Sequence, residues 1–308
     1  MRKPFAITNR AWMLAACLLL GAGAPAWAGE PLPVVVTIPV LKDWAEQVGG
    51  SHVRVLSLIS GLESEHSYSP KPSDLIALRK ARVLLQIGIG LEVWVSSLVK
   101  NSGNAGLLVV TTSEGIELID GDETHTGVRQ AHDDRHPSGN PHVWLDPDNA
   151  TVMIRHISDA FSRADPAHAV EYRRNEAAYV RQIEQLRAEL TEQLRQAPER
   201  RIIVHHPAWP YFARRFGLTI AGEIVTQAGA EPSAYHIQEL IAAIRKDKIR
   251  VVVSEPQLNQ KIPEVLARET GVRVVVLTPL PGGLPGTATY LDMLRYNGRQ
   301  LAHALAQP

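Results

Sequence analysis

Residues 165–196 read DPAHAVEYRRNEAAYVRQIEQLRAELTEQLRQ, the longest helical pattern in the chain. Val180, Ile183, Leu186, Leu190 and Leu194 recur at spacings of three and four, which gives one apolar stripe on an otherwise polar rod. Asp165-Pro166 suits a helix start and Pro198 forces its end. At 1.5 Å per residue the rod would be roughly 45 Å long. The stripe is short for a coiled-coil strand, so the segment reads as a rigid connector packed along two lobes.

Working outward, both flanks carry the same rhythm. Upstream, branched runs at 34–38, 53–59, 83–87 and 107–110 read as strands, with helices at 41–48, 74–80 and 92–100. A further helix over about 149–163 leads into the rod. Downstream, strands are expected at 201–204, 218–225, 250–253 and 273–277, and helices at 209–216, 237–245, 262–269 and 290–305. Strands alternating with helices imply mostly parallel sheets with flanking helices. The fold class is α/β, with two lobes bridged by one long helix and a ligand cleft between them. The expected divisions are an N-terminal lobe over 29–163, the connecting helix over 164–197 and a C-terminal lobe over 198–308.

Residues 1–28 stand apart. Arg2, Lys3 and Arg10 precede an apolar run from Ala11 to Gly21, and Ala26-Trp27-Ala28 offers small residues where a signal peptidase reads. The run falls short of the roughly 20 residues that span a bilayer. Cleavage after Ala28 is expected, which would put a soluble chain in the periplasm. Leu14-Ala15-Ala16-Cys17 offers a competing lipoprotein reading, with Cys17 as the anchor, but Leu18-Leu19-Leu20 continues the apolar run past it. Cys17 is the only cysteine, so the remainder must be stabilised by a core and not by disulfides. Three of the 32 Lys+Arg and none of the 32 Asp+Glu fall in 1–28, leaving 29 against 32 and a formal charge of −3. That balance gives no support to a nucleic-acid or anionic-membrane partner.

Three histidines lie where the pattern elements end. His66 follows the second strand, His142 precedes a helix, and His206 closes the run Arg201-Ile202-Ile203-Val204-His205-His206. Ligands of open α/β sheets bind beyond the carboxyl ends of strands. One histidine at such a place is ordinarily a loop residue; three at equivalent places make a metal site an even contender. Ligands so far apart in sequence meet only on folding, which points to a cleft site and not a finger. No G-x-S-x-G elbow, H-E-x-x-H helix or Gly-rich phosphate loop competes.

The motifs around these histidines carry a family resemblance. They are Glu65-His66-Ser67-Tyr68 with Pro70-Lys71-Pro72-Ser73-Asp74, and Asn140-Pro141-His142-Val143-Trp144-Leu145-Asp146-Pro147. To these add His206-Pro207-Ala208-Trp209-Pro210-Tyr211 and Ser254-Glu255-Pro256-Gln257. From residue 29 on, the chain resembles the metal-binding receptors of ABC importers for zinc and manganese, especially the zinc branch. The resemblance implies two lobes bridged by a long helix, a bound Zn²⁺ as cargo, and delivery to a membrane permease and its ATPase. It carries metal-binding roles to His66, His142 and His206. His206 is preferred to His205 because it heads the His-x-Ala-aromatic-x-Tyr pattern. A nitrogen there, where manganese-type members usually have a carboxylate, favours zinc. Glu255 matches a family glutamate and is assigned a supporting role. Where the family often places an aspartate ligand, this chain has Thr278, so Glu65 is the candidate fourth ligand and water the alternative.

Residues 120–141 contain His125, His132 and His136 among five acidic residues and no apolar period. They read either as a solvated loop or as an accessory segment that collects metal weakly. The expected protein is a monomeric periplasmic zinc receptor with one tight site and no enzymatic activity, partnered by a permease with its ATPase and by a periplasmic zinc donor protein. Alternatives are a receptor for manganese or another divalent metal, an adhesin-like surface protein, and a zinc hydrolase.

Overall fold

The computed structural model describes residues 30–60, 63, 65, 66, 68–119, 139–225 and 231–307. The expected signal segment with Cys17, and His125, His132 and His136, lie outside the described residues.

Eight strands and nine α-helices are set out along the described residues: β1 Leu32–Val36, α1 Pro39–Gly49, β2 Val53–Ser57, α2 Pro72–Lys80, β3 Val83–Gln86, α3 Val95–Ser102 and β4 Leu108–Thr111. Then come α4 Pro147–Ala164, α5 Ala169–Arg195, β5 Arg201–Val204, α6 Pro210–Phe216 and β6 Thr219–Glu223. The chain continues through α7 Ala234–Asp247, β7 Val251–Ser254, α8 Lys261–Thr270 and β8 Arg273–Val276 to α9 Tyr290–Ala306. The strands form two four-stranded parallel sheets with the same order, β2-β1-β3-β4 and β6-β5-β7-β8. The inner strands are continuous apolar runs, as parallel strands covered on both faces must be: Val83, Leu84 and Leu85, and Val251, Val252 and Val253, are all fully buried. At the sheet edge, β2 alternates, with Arg54 and Leu56 exposed.

In each sheet the chain reverses its winding between the first and third strands. That reversal opens a crevice at the carboxyl ends, where α/β sheets take ligands. In the first sheet Glu92 fills this place. Its carboxylate accepts Thr37 Oγ1–H after β1, and the Ile87 and Gly88 amides after β3, at 2.7–2.9 Å. In the second sheet the residues that follow β5 and β7 are His205-His206 and Glu255.

The long helix α5 starts at Ala169, after a 3-10 turn over Pro166–His168, and not at Asp165 as the pattern suggests. Its buried stripe is Tyr172, Tyr179, Ile183, Leu186, Leu190 and Leu194. Tyr179 takes the place expected of Val180, because its hydroxyl donates to the buried Asp43 Oδ2 at 2.8 Å. The helix packs on α1 and α4 towards one end and on α6 and α9 towards the other.

The α5–α9 contact depends on one missing side chain. A Cβ at Gly298 would stand 2.5 Å from Cδ2 of the fully buried Leu190. Alanine would gain about 1 kcal/mol in helix propensity but force overpacking worth about 1–3 kcal/mol. Gly298→Ala should therefore lower stability by up to about 2 kcal/mol, read as an earlier denaturant midpoint at constant slope. A later midpoint would contradict this packing.

Candidate metal centre

His66, His142 and His206 each present one ring nitrogen to a common point, and these atoms lie within 4.8 Å of one another. Nε2 of His66 and Nε2 of His142 are 3.2 Å apart. Two nitrogens bound to one tetrahedral zinc at its usual bond length would be separated by about 3.3 Å. The ring centroids are 4.9–5.4 Å apart, and the His206 ring stands nearly perpendicular to both others. His142 and His206 are buried and His66 is partly buried.

Hydrogen bonds fix which nitrogen of each buried imidazole faces the centre. Asn140 Nδ2 donates to the Pro207 carbonyl at 2.7 Å, which orients the amide. Asn140 Oδ1 must then accept, and His142 Nδ1–H donates to it at 3.0 Å. The lone pair of His142 is left on Nε2. At His206, Nδ1 faces Glu255 Oε1 at 3.4 Å, and that carboxylate also accepts Trp209 Nε1–H and Gln257 Nε2–H. A carboxylate or amide behind a metal-facing imidazole orients the ring and raises its basicity. His205 turns elsewhere, with Nδ1 against Ser254 Oγ at 2.9 Å, so the cluster takes His206 and not its neighbour.

Glu65 lies beside two of the three histidines. Its Oε1 is 3.6 Å from His142 Nε2 and 3.9 Å from His66 Nε2. The side chain is only 2% exposed, yet Oε1 has no hydrogen-bond partner. An isolated buried carboxylate oxygen is costly, and a cation among the four groups would satisfy it. Glu65 and His66 are adjacent, and a bend at these residues brings both side chains to one side.

Thr278 does not reach out of its own turn. Its Oγ1–H donates to the Leu280 carbonyl, the same oxygen accepts the Leu280 amide, and Asn297 brackets its backbone.

Two residues near the centre escape a reading of the sequence. Asn140 sits inside a quoted motif, but its part in orienting His142 needs the folded position of Pro207. Glu223 ends β6, and the parallel register sets it beside Val204, just before the histidines. Burial pushes its carboxyl up to about 7, and nearby His206 partly offsets that. For His206, burial opposes the charged form, but Glu255, Glu65 and Glu223 outweigh it and hold the pKa above the ordinary value.

Two parallel α/β lobes with a long helix packed on both gather the three imidazoles in one place, as a metal-binding receptor requires. A family profile described as zinc-uptake complex component A, periplasmic, matches residues 34–304. The chain belongs to that family. It is 28% identical to the high-affinity zinc uptake system protein ZnuA of Brucella suis biovar 1 (strain 1330), covering 96% of this chain and 98% of that one. It is 27% identical to the zinc-binding lipoprotein AdcA of Streptococcus pneumoniae (strain ATCC BAA-255 / R6), over 87% of this chain and 54% of that protein. A crystal structure of a ZnuA deletion mutant with zinc bound superposes with a TM-score of 0.77 at 30% identity, covering 90% of this chain and all of that one.

Proposed function

We propose that this protein is a periplasmic receptor that binds one Zn²⁺ tightly through Nε2 of His66, His142 and His206 with Glu65 as fourth ligand. It would then deliver the ion to an ABC permease driven by its ATPase. The observation that carries the reading is the gathering of three ring nitrogens within 4.8 Å of one another, with the buried Oε1 of Glu65 3.6 Å and 3.9 Å from two of them. Three nitrogens and one carboxylate suit zinc better than manganese, which prefers oxygen donors. A closed set of four protein ligands also fits a carried ion. A hydrolytic zinc keeps a position open for water.

Among the described residues no helix is long and apolar enough to cross a membrane. Export with cleavage after Ala28, and a free chain of 29–308 in two lobes joined over 164–197, complete the proposal. Residues 120–141 act in it as an accessory segment: His125, His132 and His136 bind metal weakly and feed the tight site.

Competitive titration with chelators should find one tight zinc per chain. Deleting 123–136 should leave that affinity within about tenfold, because the four proposed ligands of the tight site all lie outside it. Capture from dilute metal should slow. Loss of the tight site on deletion would place its ligands in the loop and refute the assignment.

A further inference from the structure

Asp146 is 1% exposed, and Arg215 from α6 grips both of its oxygens: Nε donates to Oδ1 at 2.6 Å and Nη2 to Oδ2 at 2.9 Å. The same Nη2 reaches Asp148 Oδ2 at 2.7 Å, and Asp148 Oδ1 pairs with Arg187 from α5. Three helices are thus tied at the first turn of α4. The turn does not need this for its own sake, since Asp146 already caps it by accepting the Asp148 amide. Two acidic groups there also suit the helix dipole unaided.

The tie connects two parts of the metal centre. Asp146 closes the 3-10 turn Val143–Leu145, which starts on His142. Arg215 lies on α6, which begins at Pro210 just after the His206 segment. The clamp is one of a row of bonds on both sides of His142. Asn140 Nδ2 donates to the Pro207 carbonyl, and Tyr211 Oη donates to the Asn140 carbonyl. Trp144 Nε1 donates to the Pro279 carbonyl, and Tyr290 Oη donates to the Trp144 carbonyl. His142 precedes the long helix in sequence, yet its segment is bonded to elements that follow that helix. Around Glu65 and His66, by contrast, the bonds of Ser60, Glu63, Tyr68, Lys71 and Asp74 close on one another.

We propose that Arg215 is a positioning residue for the metal site: by holding Asp146 it keeps His142 set against His206 as a preassembled pair of zinc ligands. The proposal rests on the three-histidine reading above. A two-pronged guanidinium–carboxylate contact fixes orientation as well as distance, which a lysine in its place does not.

The test is a double-mutant cycle in the full chain. Arg215→Gln and Arg215→Lys are made in the parent and in a His142→Ala background, and zinc affinity is read by competition with a chelating dye. Arg215→Gln should weaken zinc about tenfold in the parent and less than about twofold once His142 is gone, because residues joined through one bonded network couple and independent ones add. Arg215→Lys should fall between parent and Arg215→Gln, and it carries the comparison if the glutamine variant does not fold. Equal losses in both backgrounds, or no loss in the parent while His142→Ala costs much, would overturn the proposal. If His142→Ala itself leaves affinity intact, the three-histidine reading fails, and this inference fails with it.

Discussion

His142→Ala should reduce zinc affinity by a hundredfold or more. Zinc held by four protein ligands is bound by on the order of 10 kcal/mol, so losing one donor of four removes several kcal/mol. His142 is chosen because Asn140 has already committed its Nδ1 and oriented its Nε2, so little reorganisation offsets the loss. The structure should survive the change, since His142 lies in a short turn anchored by Asn140, Trp144 and Asp146 through bonds that do not use its ring. Competition calorimetry against a chelator of known affinity reads the result. Unchanged tight binding would remove His142 from the site.

The second large effect concerns Glu65. Glu65→Gln keeps the shape and removes the charge, so zinc affinity should fall about 10- to 100-fold if the carboxylate binds the ion. Metal-free stability should not fall with it, because Oε1 makes no hydrogen bond that the amide would forfeit. Melting curves with and without zinc separate the two effects: the zinc-induced rise in melting temperature shrinks while the metal-free value holds. An unchanged zinc affinity would hand the fourth position to water.

Much of this was legible in the sequence, for physical reasons that differ by region. The inner strands are unbroken branched runs, and Val83 to Leu85 could hardly be anything but a doubly covered strand. The three histidines stand at element ends, outside any apolar period, which is what made them visible. The long helix was legible from its stripe, but its first turn was not: Pro166 supports a 3-10 turn as readily as an α-helical start. Tyr179 and Val180 are neighbours, and only the buried Asp43 on α1 decides which one faces inward. Glu223 and Arg215 carry no local signal, and Asn140 lies in a quoted motif that does not show its part in orienting His142. Their partners are the β5–β6 register, Asp146 and Pro207, all set by packing between distant segments.

The fourth position shows the same limit. Thr278 marks by its identity that no carboxylate comes from the chain's last loop, yet sequence leaves Glu65 and water open. Adjacent residues in extended chain point to opposite sides, and it takes the bend at 65–66 to bring Glu65 and His66 together.

The most direct test of the central claim is a crystal structure of the zinc-loaded protein with anomalous data at the zinc edge. The account predicts a strong peak at one position, about 2.0–2.1 Å from Nε2 of His66, His142 and His206 and about 2.0–2.2 Å from a Glu65 oxygen. A principal peak elsewhere, with these three imidazoles unbound, would contradict it.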